Sequence, residues 1–112
     1  MFGLFKSKTS YENISSAEFK NMLDTRKDIT LVDVRSEGEA RQGKIKGANV
    51  INLMSPNFRT ELNKLPKDKA LLVYCRSGNR SGAACGLASK LGFSEVYNLK
   101  SGIIGWDYKL VP

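Results

Sequence analysis

Histidine is absent from this chain, cysteine occurs twice and proline three times. The missing imidazole excludes Cys–His proteases, Ser–His hydrolases, histidine-bearing zinc sites and facial-triad iron sites, each of which needs a ring nitrogen as base or ligand. No metal and no cofactor are expected. Two cysteines are too few for a disulfide framework, and nothing points to an oxidising compartment. No apolar run approaches the roughly 20 residues that span a bilayer. The opening stretch, Met1-Phe2-Gly3-Leu4-Phe5-Lys6-Ser7-Lys8, is too short in apolar residues for a signal peptide and lacks a small-residue cleavage pattern. A cytoplasmic location is the expectation. Internal repeats and low-complexity tracts are also missing.

What remains is a chain of 112 residues, a length that suits one domain with an ordinary core. Lys and Arg number 18 against 11 Asp and Glu, a formal charge of +7. The lysines are scattered and no nucleic-acid-binding motif is visible, so nucleic acid is not an expected partner. The charge fits a surface that attracts small anions or an acidic partner protein, and equally a merely solvated one.

Residues 1–10 are expected to form a flexible basic tail, and 11–112 a single domain. Ser15-Ser16-Ala17-Glu18 has the spacing of a capping box, and Ala17, Phe19, Met22 and Leu23 give a helical apolar face running to about Arg26. Ile29 to Val34 is a compact strand rich in β-branched residues. A polar segment, Arg35 to Gly43, makes a short helix or turn, and Asn49 to Leu53 is the next strand. Ser55-Pro56 is expected to cap a helix through about Lys64, with proline at its first position. Ala70 to Tyr74 is a central strand, and Gly82 to Leu91 a helix ended by Gly92. Glu95 to Leu99 is a further strand, and Gly102 to Leu110 is expected to close the chain as a short helix. Strands alternating with helices in this way predict an α/β fold, a parallel sheet covered on both faces.

The run Cys75-Arg76-Ser77-Gly78-Asn79-Arg80-Ser81 carries the chemistry. It sets a cysteine at the carboxyl end of a central strand, below the amino end of a helix, which is where open parallel sheets bind ligands. Successive amides of such a turn converge on one point, and the helix dipole adds positive charge there. Arg76 and Arg80 add two full charges. A site of this kind lowers a thiol pKa and holds an anion against the thiolate. Gly78 and Asn79 both tolerate the positive φ that turns amides inward.

These residues resemble a single-domain rhodanese. The blocks that carry the resemblance occur in family order. They are Leu31-Val32-Asp33-Val34-Arg35, Glu39 before Gly43-Lys44-Ile45-Lys46-Gly47-Ala48, the Cys75 loop, and Ser101-Gly102-Ile103-Ile104-Gly105-Trp106. The match covers roughly residues 12–110. It implies a central parallel sheet of about five strands with helices on both faces. It also implies a thiosulfate sulfurtransferase in which Cys75 is the nucleophile and becomes a persulfide. Arg76, Ser77, Gly78, Asn79 and Arg80 would form the anion-cradling loop, with Ser81 opening the helix behind it. The expected partners are a small anionic sulfur donor such as thiosulfate, and an acceptor that is a small thiophile or a protein thiol. The family commonly has histidine where this chain has Lys44.

Loop length separates this reading from cysteine phosphatases, whose loop holds five residues between Cys and Arg. Here four residues separate Cys75 from Arg80, and the phosphatase position holds Ser81. The tighter loop suits a sulfur atom on cysteine. Cys85, among Ala84, Leu87, Ala88 and Leu91, is expected as a core thiol, a resolving partner for Cys75 being the alternative. Trp106 is expected in the core, and Asp33 with Arg35 as a structural pair locking the loops at the strand ends. Arg80 either faces the anion or pins the loop by pairing with Asp33 or Glu39; the sequence admits both. A non-catalytic rhodanese-like binding or sulfur-carrier module is the competing function.

Overall fold

The computed structural model describes residues 10–112, so the expected tail lies outside the described residues but for Ser10, whose carbonyl accepts from the Ser89 hydroxyl at 2.7 Å. The elements run β1 (Glu12–Ile14), α1 (Ser16–Thr25), β2 (Ile29–Asp33), α2 (Glu37–Arg41), β3 (Asn49–Val50), α3 (Phe58–Asn63), β4 (Ala70–Tyr74), α4 (Asn79–Lys90) and β5 (Glu95–Leu99), then a 3₁₀ turn (Ile103–Gly105). The five strands form one sheet in the order β1-β5-β4-β2-β3, with every pairing parallel. This is the α/β architecture the sequence predicts. Among the described residues no helix is long and apolar enough to cross a membrane.

Strand β4 shows why the sheet is central. All five of its residues are buried, and successive side chains alternate between the two cores. Leu71 and Val73 pack with Val32, Phe58, Leu62, Ala84 and Ala88, beneath α3 and α4. Ala70, Leu72 and Tyr74 face the other way, against Phe19, Leu31, Leu99 and Trp106. Cys75 continues the alternation onto the α4 side. Trp106 is 8% exposed and meets Phe19 edge to face at 5.9 Å, the core position expected of it.

Two helices begin with complete capping boxes. Ser15 accepts from the Glu18 amide while the Glu18 carboxylate accepts from the Ser15 amide, and Ser36 and Glu39 do the same for α2. The expected cap at Ser55 is not formed. Its hydroxyl accepts from the Asn57 amide in a local turn, and α3 starts at Phe58 behind Asn57. The competing short-range bond delays the helix by two residues. The strand expected over Asn49 to Leu53 pairs as a strand only at Asn49–Val50. Beyond it the Ile51 and Leu53 amides still donate to Asp33 and Val34 carbonyls.

The expected closing helix from Gly102 to Leu110 is a single 3₁₀ turn. Its amides are taken by other partners, and the chain then returns so that Lys44 and Val111 exchange two backbone bonds of 2.8 Å. Strand β1 was not apparent in the sequence; it exists through its pairing with β5.

Where β2 ends, the Asp33 carboxylate is fully buried and accepts from the Arg35 amide (2.9 Å) and guanidinium (2.7 Å). Arg35 also donates to the Gly43 carbonyl at 2.7 Å, tying the segment after α2 to the strand end. This is the structural pair expected from sequence. Arg35→Met strands the buried carboxylate, and we expect a loss of about 3–5 kcal/mol in urea unfolding. The double variant Asp33→Leu/Arg35→Met should recover most of that; an Arg35→Met protein as stable as the wild type would refute the account.

Candidate functional site

Cys75 directly follows β4, and four residues later the chain is helical. The first four N–H groups of a helix have no intrahelical acceptor. In α4 one of these orphans, Ser81, donates to Cys75 Sγ at 3.3 Å. The Ser81 hydroxyl donates at 3.3 Å and the Gly78 amide at 3.1 Å, so three donors converge on the sulfur. Gly78 caps the helix at φ +98°, and a Cβ there would collide with the Lys100 carbonyl. Only glycine fits both requirements.

Two details differ from expectation. Among the described residues no residue other than glycine has positive φ, so Asn79 is not a left-handed turn residue but the first residue of α4. Ser81 therefore does not open the helix. It sits at the third helical position, where its amide is free for the thiol.

The loop is clamped from outside by a segment whose role the sequence did not disclose. Ile103 N–H donates to the Cys75 carbonyl at 2.9 Å, and Ile104 N–H to the Arg76 carbonyl at 3.0 Å. Gly102, at φ +67°, allows this approach, because a Cβ there would overlap the Arg76 carbonyl and the Ser77 nitrogen. The glycine in Ser101-Gly102-Ile103 is the sequence signal for this close approach, and the same residue also fits the expected helix start.

Burial pushes the Cys75 thiol pKa up, but the Ser81 hydroxyl and the Ser81, Gly78 and Ser77 amides outweigh it, and the net shift is downward. Cys85 lies in the same core with no such donors. Burial, reinforced by the charge of Cys75, drives its thiol far upward, so it stays protonated; both cysteines are free thiols.

Arg80 is paired with Glu39 rather than bonded to the sulfur. Its two terminal nitrogens donate to the Glu39 carboxylate at 2.8 and 2.9 Å, so of the alternatives open in the sequence it is Glu39 that Arg80 meets. Arg76, Ser77 and Asn79 are exposed. Arg76 makes no ion pair among the described residues, and with Arg35, Glu39 and Ile103 it lines a cavity of about 210 Å³ beside the loop. Cys75 itself has no accessible surface (0%). The sulfur is covered, with a hollow next to its loop rather than over it.

The sequence matches the rhodanese-like domain over residues 15–109. The chain belongs to the rhodanese-like family. It is 37% identical over 99 residues to a sulfurtransferase of Allochromatium vinosum, a match covering 88% of this chain and 91% of that one. A tRNA uridine(34) hydroxylase of Protochlamydia amoebophila is 33% identical over 106 residues, covering 88% of this chain but 32% of the hydroxylase. Among solved structures, a rhodanese-related protein of Thermoplasma volcanium superposes with a TM-score of 0.78 at 31% identity, over 90% of this chain and 98% of that one.

In this rhodanese-like domain the Glu39–Arg80 pair bridges α2 and α4. The Arg80 guanidinium and the Ser36 amide hold the Glu39 carboxyl down to about 2 from its ordinary 4.5. The pair therefore stabilises fully above about pH 4.5, and that contribution is lost as pH falls toward 2. Both side chains are about a third exposed, so the effect is modest. Glu39→Gln keeps an acceptor for the Ser36 cap while removing the charge. Urea midpoints at pH 6 and pH 3 should differ less in Glu39→Gln than in the wild type; equal differences would contradict the assignment.

Proposed function

We propose that the protein is a sulfurtransferase that carries a sulfane sulfur on Cys75. The observation that carries this reading is the convergence of the Gly78 amide, the Ser81 amide and the Ser81 hydroxyl on Cys75 Sγ. Donors aimed at a thiol favour its anion, and the thiolate is the nucleophile. In a persulfide the charge moves to the outer sulfur, and a loop rich in backbone amides is suited to hold it there.

The first half-reaction is attack by the Cys75 thiolate on the outer sulfur of thiosulfate or a persulfide donor. A Cys75 S–S bond forms as the donor's own S–S bond breaks. With thiosulfate, sulfite leaves with the electron pair and needs no general acid, which suits a chain without histidine. In the second half-reaction a thiophilic acceptor attacks the terminal sulfur, and the Cys75 thiolate is the leaving group. Arg76, exposed beside the loop and lining the mouth, meets the donor anion. Ser77, Gly78, Asn79, Arg80 and Ser81 complete the loop. Arg80 acts mainly by holding the loop against Glu39.

One observation favours the second reading, a rhodanese-like binding or carrier module without turnover: Cys75 has no accessible surface. Sulfur transfer requires the groups that cover the sulfur to move aside; a module does not.

Intact-mass spectrometry separates the two readings. After exposure to thiosulfate the wild type should gain about 32 Da and Cys75→Ser nothing. No gain in the wild type with any persulfide donor, and no thiosulfate:cyanide turnover, would leave the module. The cradle has its own test. The iodoacetamide pH–rate profile of Cys75 should have a midpoint below the free-cysteine value of about 8.5, and Ser81→Ala should move it upward. A midpoint unchanged by Ser81→Ala, in a variant with wild-type circular dichroism, would remove the hydroxyl from the account.

A further inference from the structure

A second groove, of about 630 Å³, borders the loop at Gly78 and Asn79 and runs along α4 past Gly82 and Gly86. None of its lining residues lines the mouth beside Arg76. Three features of it are unexplained by the chain alone.

The first is Gly86. Glycine in a helix interior is destabilising relative to alanine. At Gly82 a Cβ would stand 3.3 Å from the Tyr11 hydroxyl, a close approach that accounts for the glycine. At Gly86 a Cβ would meet nothing within 4 Å, so packing within the chain does not demand the residue.

The second is Asn98, which is 3% exposed and is among the residues that line the groove. Its Nδ2 donates to Asn13 Oδ1 at 2.8 Å and to the Gly78 carbonyl at 3.2 Å, while its Oδ1 is buried without a hydrogen-bond partner. Buried acceptors in native folds are ordinarily partnered. The third is Lys100, exposed at the groove with no ion pair among the described residues.

We infer that this groove is a second binding site for a small peptide-like carboxylate, and that its occupation is felt at Cys75 through Gly78. An amide N–H answers the Asn98 acceptor, a carboxylate pairs with Lys100, and the bare strip at Gly86 admits the ligand backbone against the helix. Thiosulfate dianion offers Asn98 no donor, so the ligand differs in class from the sulfur donor. The volume suits a small molecule. The link to the thiol is direct: the Gly78 carbonyl accepts from Asn98, and the Gly78 amide donates to Cys75 Sγ.

Titrating the ¹⁵N-labelled full chain with acetylglycylglycine tests both parts. Saturable shifts are expected at the Asn98 side-chain amide and at Gly78, Gly82 and Gly86. Sodium acetate or N-methylacetamide alone should not reproduce them. At saturation the iodoacetamide rate of Cys75, at a pH below about 8.5, should change by about twofold or more. Gly86→Leu has open space for its side chain and should fold but lose the shifts. Lys100→Glu, an exposed change, should weaken binding several-fold. Absent saturation, equal shifts from acetate alone, or undiminished binding in both variants would overturn the site. Saturable binding with an unchanged Cys75 rate would overturn the coupling. The thiosulfate mass gain is a separate readout, so failure of sulfur transfer and failure of this groove are distinguishable.

Discussion

Three hydrogen-bond donors pointed at one sulfur atom decide what the carboxyl edge of this sheet can do. Cys75 and Cys85 belong to the same core cluster, and both are fully buried. Burial alone disfavours a thiolate at either position. The outcomes nevertheless diverge, the Cys75 thiol moving down and the Cys85 thiol up. The difference is the local backbone. Cys75 lies under the start of α4, where amides lack helical acceptors, whereas Cys85 lies inside α4, where they do not. Without those donors burial alone would act on Cys75, and its thiol would be pushed upward as that of Cys85 is.

That arrangement is held from three directions. From within, Gly78 adopts a left-handed conformation that turns its amide inward. From the far side, the Ile103 and Ile104 amides occupy the Cys75 and Arg76 carbonyls, an approach that depends on Gly102 having no side chain. Laterally, Glu39 grips Arg80 while capping its own helix, and Arg35 joins Asp33 to Gly43 behind it. Each clamp comes from a different strand-to-helix or terminal connection. The preorganisation of the cradle is thus a property of the whole sheet edge rather than of the cysteine loop alone.

Much of this was legible in the residues, and the failures share a cause. Strand β4, the capping box at Ser15, and the strand–cysteine–helix junction rest on local pattern, which tertiary contacts reinforced. The segment after Gly102 has apolar residues at Ile103, Trp106 and Leu110, spacing that mimics a helical face. Its amides instead bind loop carbonyls 28 residues back, and Val111 pairs with Lys44, contacts no local pattern encodes. Strand β1 has three residues and is defined by its neighbour β5. At Ser55 the capping pattern was present, but a side-chain bond to Asn57 built a turn first. The choice between Asp33 and Glu39 for Arg80 likewise depended on how α2 sits against α4.

The pairing of the arginines bears on how an anion would reach a covered sulfur. Arg35 is committed to Asp33 and Gly43, and Arg80 to Glu39. Each of these guanidiniums has its charge matched, so neither can approach a donor without leaving a carboxylate behind. Arg76 alone among the three has no ion pair among the described residues, and it lies exposed at the mouth. In the proposed reaction the roles are therefore unequal: two arginines hold the shape of the edge and one meets the anion. The neutralised pairs also leave the sulfur's own donors as the main source of positive potential at Cys75. Those donors are backbone amides and a buried hydroxyl, which cannot swing away. In the proposed reaction those donors hold the thiolate while Arg76 receives the anion.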